Sequence, residues 1–323
     1  MRRLVVSIVS LVVAGCGDDS VHHLGDGPPS AAMPGIYITQ GNTITVFALD
    51  ATGDAAPIRT IAGPSTMLSL PIGLGVDRQG LIYAANRTGS VVTAFAKDAS
   101  GDVAPARLLT AAGMLSPEGL AVDTNDDVFV AACPHCGGSA GGDTAIYHFP
   151  AGSTANDFTI QGANTNLTNP GIALDSDRNL VVANSFGGVV ETFAPGSTGN
   201  ATPFRKFTPA GNQNIQGVIA AGGVIILGSP TDGLDLYAAD TTGDAALPVA
   251  TIGPAMLPVQ YPAGTFLDAS VSPPVLYQND FAGNTIFIVQ TTGSGASLSV
   301  GSVRTIQGPS TTLAAPLGIV VIH

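Results

Sequence analysis

The sequence has little of what nucleic-acid binding and the common catalytic motifs require. Its 323 residues include no Trp, three Cys and 11% charged residues, and 23 acidic against 11 basic side chains give a net charge of -12. Phosphate contacts need clustered Lys and Arg, so we expect no nucleic-acid partner. The chain also lacks a Gly-x-Ser-x-Gly elbow, a phosphate-binding loop ending in Gly-Lys-Ser/Thr, a His-Glu-x-x-His zinc motif and a Cys-x-x-Cys-His haem site. What it does have is 45% hydrophobic residues, enough to bury a large core.

The N-terminus has the form of an export signal. Residues 1–3 carry two Arg, residues 4–13 form an apolar run too short to cross a membrane, and small residues follow. Residues 13–16, Val-Ala-Gly-Cys, resemble the lipobox of bacterial lipoproteins, which implies a signal peptide over residues 1–15 and acylation of Cys16. The alternative is an incidental cysteine near a cleavage site. We therefore expect an exported protein held by lipid to a membrane of the bacterial cell envelope, with the outer membrane or cell surface favoured over the inner membrane.

A tether is predicted between the lipid and the folded part. Residues 16–34 combine Gly, Asp, Ser and Pro without apolar periodicity, which is typical of a flexible segment. His22 and His23 lie within it, but two adjacent His supply too few ligands for a preformed metal site. The predicted organisation is a signal peptide, this tether, and one folded domain over residues 35–323.

The folded part repeats one unit six times. A glycine that opens a "GLAVD"-type segment recurs at intervals of 46 to 54 residues, at Gly73, Gly119, Gly171, Gly217, Gly264 and Gly318. Each unit holds four short β-type runs separated by turn residues, which is the pattern of a four-stranded propeller blade. The chain is therefore predicted to be all-β, a six-bladed β-propeller with four-stranded blades.

The two termini are predicted to share a blade. The last unit ends at residues 316–323 without the strand that reads "IYAAN" at residues 82–86, and a matching "GIYITQ" stands at residues 35–40 instead. Pairing this N-terminal strand into the C-terminal blade would close the ring and cover its edges. The outer hairpins share tips such as "DATGDAAP" at residues 50–57 and "DASGDVAP" at residues 98–105. Their Asp, Ser, Thr and Gly indicate tight turns, because a calcium cage needs denser oxygen ligands.

These repeats resemble a known family. The units "LPIGLGVDRQGLIYAAN", "SPEGLAVDTNDDVFVAAC" and "NPGIALDSDRNLVVAN" are similar to NHL-type repeats and to the six-bladed propellers of the gluconolactonase-like superfamily. The resemblance implies a metal held at the channel mouth by acidic and Asn side chains just before the repeated glycine. The matching positions here are Ile72, Glu118, Pro170, Gln216, Ala263 and Leu317. A hard cation needs several converging oxygens and this ring offers one carboxylate, so we expect no cofactor, and these residues do not support a divalent cation in the channel.

Glu118 is the candidate catalytic residue, because Glu occurs twice in the chain and Glu191 falls within an outer run. A carboxyl among apolar residues at a narrow mouth could serve as an acid or base, although spacing shows no partner and a solvated loop carboxylate is the alternative. Polar residues at the ends of the second strands should lie on the same face, or else form turns there. The predicted ligand-binding face comprises Gln40, Asn86, Glu118, His135, Asn184, Gln216, Asn279 and Asp280.

A Cys-Pro-His-Cys segment, Cys133 to Cys136, opens the longest Gly-rich loop of the repeats. Two cysteines in an exported protein favour a disulfide, so we predict a Cys133–Cys136 bridge on the ligand-binding face. Zinc would have two sulfurs and His135, which is one ligand short of a closed site. A thioredoxin-like redox centre needs a helix N-terminus, and here a strand leads into glycines. Metal binding, redox chemistry and free thiols remain the alternatives.

Two functions stay open at this stage. The first is a membrane-tethered, monomeric module that binds a protein or small-molecule ligand at its loop-rich mouth. The alternative is an extracytoplasmic hydrolase or lyase of the lactonase-like propeller type, acting on a small ester, lactone or sugar derivative with Glu118 as acid or base. Because the ring before the glycines lacks a converging catalytic or metal-binding set, we favour the binding module over the enzyme.

Overall fold

The computed structural model describes residues 34–134, 143–185, 187–211, 215, 217–229, 233–293 and 295–323. In these residues the chain forms strands β1 to β25, numbered in chain order, and short 3₁₀ turns at Pro64–Thr66, Ala163–Thr165, Gly295–Ser297 and Pro309–Thr311. No helix in this described part is long and apolar enough to cross a membrane. The fold therefore depends on strand pairing.

Six antiparallel sheets, here called blades 1 to 6, make up the architecture, and their strands are given from innermost to outermost. Blade 1 contains β4 (Pro71–Val76), β5 (Ile82–Asn86), β6 (Val91–Phe95) and β7 (Arg107–Leu109). Blade 2 contains β8 (Pro117–Val122), β9 (Val128–Ala132), β10 (Ala145–Phe149) and β11 (Phe158–Ile160). Blade 3 contains β12 (Pro170–Leu174), β13 (Leu180–Asn184), β14 (Val189–Phe193) and β15 (Arg205–Pro209). Blade 4 contains β16 (Gly217–Ala221), β17 (Val224–Ser229), β18 (Gly233–Ala238) and β20 (Ala250–Ile252). Blade 5 contains β21 (Pro262–Asp268), β22 (Val275–Asp280), β23 (Thr285–Thr292) and β24 (Ser299–Ile306). Blade 6 contains β25 (Ile319–Ile322), β1 (Gly35–Gln40), β2 (Thr43–Phe47) and β3 (Arg59–Ile61), and β19 (Gly243–Ala246) adds a parallel fifth strand to blade 3.

The six blades are arranged in a closed ring. Their innermost strands contact one another in the cyclic order β4, β8, β12, β16, β21, β25 and back to β4. This order confirms the predicted six-bladed β-propeller, whose innermost strands surround a central channel. All six run in the same direction, so the repeated glycines lie at one end of the channel. We call that end the mouth.

The two termini of the folded part share blade 6, as predicted. Strand β1 pairs antiparallel with β25, with Gly35 opposite Ile322 and Tyr37 opposite Val320. The other edge of β1 pairs with β2. The innermost strand of this blade therefore comes from the C-terminal end of the chain and the other three come from the N-terminal end, which closes the ring through hydrogen bonds.

The core lies between neighbouring blades. Each of four third strands ends in a fully buried phenylalanine, namely Phe47, Phe95, Phe149 and Phe193. Phe149 of blade 2, for example, packs in one cluster with Tyr83 and Val92 of blade 1. Burying a side chain of this size contributes about 1.5–3 kcal/mol, so the repeated phenylalanine fastens each of these blades to the one before it.

The hairpins at the outer edge form a second link between blades. The tip of the blade 1 hairpin reaches blade 6, where Gly101 bridges Ile61 in parallel and Asp102 Oδ1 accepts the N–H of Ser65 at 2.7 Å. The same contact recurs between Asp54 and the N–H of Ser310 at 2.6 Å, and between Asn200 and the N–H of Asn164 at 2.7 Å. The Asp and Asn of these tips thus satisfy the first N–H groups of the 3₁₀ turn in the preceding blade.

Candidate functional site

The mouth holds a cavity of about 220 Å³ to which all six inner strands contribute. Its rim is formed by the repeated glycines, and its wall is formed by the residues one position further along the inner strands. These wall residues are Leu74, Leu120, Ile172, Val218, Thr265 and Ile319. The cavity is smaller than the ~300–1,000 Å³ pockets that hold drug-sized ligands, so it suits a small group.

The repeated glycine is required by the close approach of neighbouring inner strands. A Cβ on Gly73 would lie 2.5 Å from the carbonyl oxygen of Glu118 in blade 2. A Cβ on Gly264 or Gly318 would also lie well below 3.0 Å from a backbone carbonyl of the next blade. Gly119 and Gly217 are less crowded, with the nearest atoms at 3.1 Å and 3.2 Å, and Gly171 is the least crowded, because its nearest neighbour would be the Val218 side chain at 3.6 Å. The glycines therefore let the inner strands pack around a narrow channel.

Glu118 lies on the rim of this cavity and pairs with Arg87. Arg87 Nε lies 2.9 Å from Glu118 Oε1, with 40% and 20% of the two side chains exposed. Oε1 is buried and the nitrogen approaches it outside hydrogen-bonding geometry. Burial raises the pKa of the Glu118 carboxyl above its ordinary value, and the Arg87 charge offsets part of that rise. The pair joins blade 1 to blade 2 at the mouth.

Arg87 is the site residue that the sequence reasoning missed. It directly follows Asn86 at the end of β5, and its own N–H is held by the carbonyl of Leu70. At the equivalent place after the other second strands the chain has Gly41, Cys133, Ser185, Pro230 and Phe281. Arg87 is the only basic residue in this series, and it precedes the repeat that contains Glu118, the only carboxylate just before a repeated glycine. This coincidence is the sequence feature that could have predicted the pair.

Four of the predicted ligand-binding residues hold loops in place. At most 7% of Gln40, Asn86, Asn184 and Asp280 is exposed. Each accepts a backbone N–H from the loop that leads into an inner strand. The bonds join Gln40 Oε1 to Ala314 at 2.8 Å, Asn86 Oδ1 to Ser69 at 2.9 Å, Asn184 Oδ1 to Thr168 at 2.8 Å, and Asp280 to Gln260 at 3.1 Å and Tyr261 at 2.9 Å. This geometry supports the turn-forming alternative for these residues.

Asn279 connects two blades near the mouth. Its Nδ2 donates to the carbonyls of Leu317 at 3.0 Å and Gly318 at 3.2 Å, both in the chain entering the inner strand of blade 6. Thr39 of blade 6 makes the corresponding link to blade 1, where its hydroxyl donates to the Ile72 carbonyl at 3.0 Å. Both side chains are buried. Their hydrogen bonds therefore stabilise the contacts of blade 6 with blades 5 and 1.

Several predicted positions lie outside the described residues. These are Cys16, His135, Cys136 and Gln216, so lipidation and the disulfide stay predictions. Cys133 is described at the end of β9, where it is buried and the Thr144 hydroxyl lies 3.6 Å from its Sγ. This position is on the mouth side of blade 2, the same side as Glu118.

The ring of residues before the glycines offers few ligands for a metal. Ile72, Glu118, Pro170, Ala263 and Leu317 are described, and Glu118 is the ionisable residue among them. Across the described ranges, no group of three or more His, Cys, Asp or Glu is placed to hold a metal ion. Hard cations prefer six or more oxygen ligands, which a single carboxylate at the rim does not provide.

Glu191 forms a buried network in blade 3. It is fully buried on β14, where Oε1 accepts from Asn166 Nδ2 at 2.9 Å and Oε2 from Asn184 Nδ2 at 3.0 Å. Burial raises the pKa of this carboxyl, and the hydrogen bonds and the Lys206 charge offset only part of the rise. A raised pKa favours the protonated form in the folded state, so its contribution to stability is full below the unfolded value of about 4.3 and falls as the pH rises.

Replacing this carboxyl by an amide should therefore stabilise the protein near neutral pH. Glu191→Gln is expected to raise the unfolding temperature at about pH 7 and to change it less at about pH 4, because the amide stays neutral throughout. Each unit of pKa elevation corresponds to about 1.4 kcal/mol. Thermal unfolding of both proteins across this range measures the difference, and a difference independent of pH would contradict the assignment.

The opposite end of the channel carries most of the charged turns. Arg78 of blade 1 pairs there with Asp126 of blade 2, with Nε 3.1 Å from Oδ1. Arg178 of blade 3 pairs with Asp123 at 2.5 Å. The Arg78–Asp126 pair joins the same two blades as Arg87 and Glu118, but at the end away from the mouth, and so provides a matched control for experiments on the mouth.

Solved structures with a similar architecture come from proteins of different kinds. A functionally unknown protein from Desulfotomaculum acetoxidans is 9% identical, with a TM-score of 0.61 over 90% of this chain and 99% of that one. A chain of a nidogen/laminin complex is 15% identical, with a TM-score of 0.58 and the same coverage. A catalytically inactive virginiamycin B lyase from Staphylococcus aureus with quinupristin is 13% identical, with a TM-score of 0.51 over 90% and 92% of the two chains.

The likeness is one of fold alone. No protein-family model matches the sequence, and no curated protein matches it. Propellers of this kind include an enzyme and a member of a protein complex, so the architecture favours neither function. The function has to be argued from the propeller's own mouth.

Proposed function

We propose that this protein is a membrane-anchored, extracytoplasmic β-propeller that binds a ligand at its mouth. The observation that carries the proposal is the Glu118–Arg87 pair on the rim of a cavity formed by all six inner strands. A concave site into which a few polar groups converge is a usual form of a ligand pocket. The small cavity fits a small molecule, or one side chain or terminus of a protein partner.

The geometry at the mouth favours recognition over chemistry. General acid–base catalysis needs a group that can take or release a proton beside the reacting atoms. The neighbour of Glu118 is an arginine, which stays charged in proteins and transfers no proton. The strand-end amides and Asp280 are occupied by loop N–H groups. A pair that includes the permanent charge of Arg87 is suited to binding a polar or charged group.

Export and lipid attachment complete the proposal. The charged start, the short apolar run and the lipobox-like residues 13–16 support acylation of Cys16. The repeat sequences support a relationship to NHL-type and gluconolactonase-like propellers. The Cys133–Cys136 disulfide belongs to the same proposal, because an exported chain with two remaining cysteines in one short segment favours their pairing.

One observation favours an extracytoplasmic hydrolase or lyase as the second candidate. The pKa of Glu118 is raised by burial at the edge of a cavity, which is how a carboxyl is prepared for acid or base catalysis. If the protein turns over a small ester, lactone or sugar derivative, Glu118→Gln should reduce that turnover by at least about 100-fold. Unchanged turnover in this variant would remove Glu118 from any catalytic role.

A mapped ligand screen tests the binding proposal. The protein is labelled with ¹⁵N-glycine and screened by NMR against small metabolites and short peptides. A ligand at the mouth should shift the amide signals of the rim glycines, Gly73, Gly119, Gly171, Gly217, Gly264 and Gly318. Gly222 and Gly223, beside a separate cavity between blades 3 and 4 on the side away from the mouth, serve as internal controls. Ligands that shift only the control glycines would contradict the proposed site.

A further inference from the structure

We infer that the ligand of the mouth is a small zwitterion of the amino-acid type with an aliphatic side chain, its carboxylate on Arg87 and its ammonium on Glu118. This inference rests on the proposed function and narrows it to one class of ligand. It follows from three features of the mouth, namely the donors of Arg87, the second oxygen of Glu118 and the mainly apolar wall of the cavity.

Arg87 presents donors that the fold does not use. Its Nε faces Glu118 and its backbone N–H is taken by Leu70, while no described residue accepts a hydrogen bond from Nη1 or Nη2. The side chain is 40% exposed and lies beside Glu118. A planar pair of guanidinium donors matches the two oxygens of a carboxylate, with two parallel N–H to O bonds.

Glu118 presents an acceptor beside these donors. Its Oε1 is fully buried against Arg87, yet the side chain as a whole is 20% exposed and lines the cavity. Oε2 is therefore the oxygen that faces the cavity, and none of the described residues donates a hydrogen bond to it. An ammonium group there would gain a charge-assisted hydrogen bond at a partly buried carboxylate.

The charge balance of the pair selects a ligand with both groups. A ligand with only a carboxylate would approach Arg87 but lie against the Glu118 charge, and a ligand with only an ammonium would meet Arg87 in the same way. A zwitterion satisfies both partners and adds no net charge to the site. Of the six side chains one position below the rim, five are apolar (Leu74, Leu120, Ile172, Val218 and Ile319) and the sixth is Thr265, so an aliphatic side chain would meet mainly apolar side chains there.

Four forms of one molecule test the inference on the full-length protein. Calorimetry compares L-leucine with its methyl ester, with N-acetyl-leucine and with N-acetyl-leucine amide, which carry both charges, the ammonium alone, the carboxylate alone and neither. We expect L-leucine to bind and each singly charged form to bind at least tenfold more weakly. Blocking one group removes its charge-assisted hydrogen bond. The group that stays charged then lies beside a like charge, the ammonium near Arg87 or the carboxylate near Glu118. A tenfold loss of affinity is about 1.4 kcal/mol.

Two variants assign each ligand group to its partner. In Arg87→Met the preference for L-leucine over its methyl ester should disappear, and in Glu118→Gln the preference for L-leucine over N-acetyl-leucine should disappear. Arg78→Met removes the matched pair at the other end of the channel and should keep the wild-type pattern. Thermal unfolding of all three variants shows that they are folded before binding is compared.

The outcomes separate this inference from the proposed function. Equal binding of all four forms, no binding of L-leucine, or wild-type preferences in both mouth variants would each overturn the inference. If L-leucine fails but another compound shifts the rim glycines, the mouth is a binding site for a different class of ligand and the proposed function stands. If no compound shifts the rim glycines, both proposals fail.

Discussion

Replacing Gly264 by alanine is expected to lower the free energy of unfolding by about 3 kcal/mol. The new Cβ would overlap the carbonyl oxygen of Leu317 and lie 2.9 Å from the backbone nitrogen of Ile319, and both atoms belong to the chain that enters or forms the inner strand of blade 6. A flexible side chain could move aside, but here two inner strands would have to separate. Urea unfolding monitored by circular dichroism measures the change as a lower midpoint at an unchanged slope.

Gly171 provides the matched control for this substitution. It holds the same position in blade 3, but its Cβ would find the Val218 side chain at 3.6 Å, which is ordinary contact. Gly171→Ala is therefore expected to change the unfolding free energy by less than about 1 kcal/mol. Equal midpoints for the two alanine variants would show that close approach of the inner strands does not explain the repeated glycine.

Removal of the closing strand should have the largest effect on the fold. A chain that ends at Gly318 lacks β25, which supplies the innermost strand of blade 6 and pairs with β1. The four residues Ile319–Ile322 are buried, and each contributes about 1.5–3 kcal/mol. Their sum is comparable to the 5–15 kcal/mol stability of a whole domain. We expect this variant to lose its cooperative thermal transition.

A deletion of His323 alone distinguishes the contribution of β25 from that of the residue that follows it. His323 Nε2 lies 2.5 Å from Asp268 Oδ2, but 47% of the His323 side chain is exposed. The Asp268 side chain is buried, but it keeps its hydrogen bonds from the backbone N–H and hydroxyl of Ser270 when His323 is removed, so the shorter deletion should leave the cooperative transition in place. A cooperative transition in the longer deletion as well would contradict closure through β25.

The architecture could be predicted because its requirements recur along the chain. The inner strands pack closely around the channel, which favours a glycine at the repeated position, most strictly at Gly73, Gly264 and Gly318. A closed ring also needs a partner for the strand at residues 35–40. The structure confirms both the six blades and the shared blade. The reason for the glycine was not visible, since it depends on carbonyls of the neighbouring repeat, such as Glu118 O against Gly73.

The candidate site could be predicted only in part. Glu118 was found because it is a rare residue at a repeated position, but Arg87 lies in another repeat and meets it only after two blades have packed. The strand-end residues Asn86 and Asn184 were correctly placed near strand termini, yet their burial and their bonds to loop N–H groups depend on the folded loops. A contact that occurs between one pair of blades only, such as Arg87 with Glu118, leaves no repeated mark in the sequence.

The most direct test of the mouth as a binding site is the affinity of one ligand for two variants. A compound that shifts the rim glycines is titrated into Arg87→Met and Arg78→Met, which lose one ion pair each between the same two blades. The binding proposal predicts at least a tenfold loss of affinity in Arg87→Met, about 1.4 kcal/mol, and wild-type affinity in Arg78→Met. Equal affinity in the two variants would contradict it.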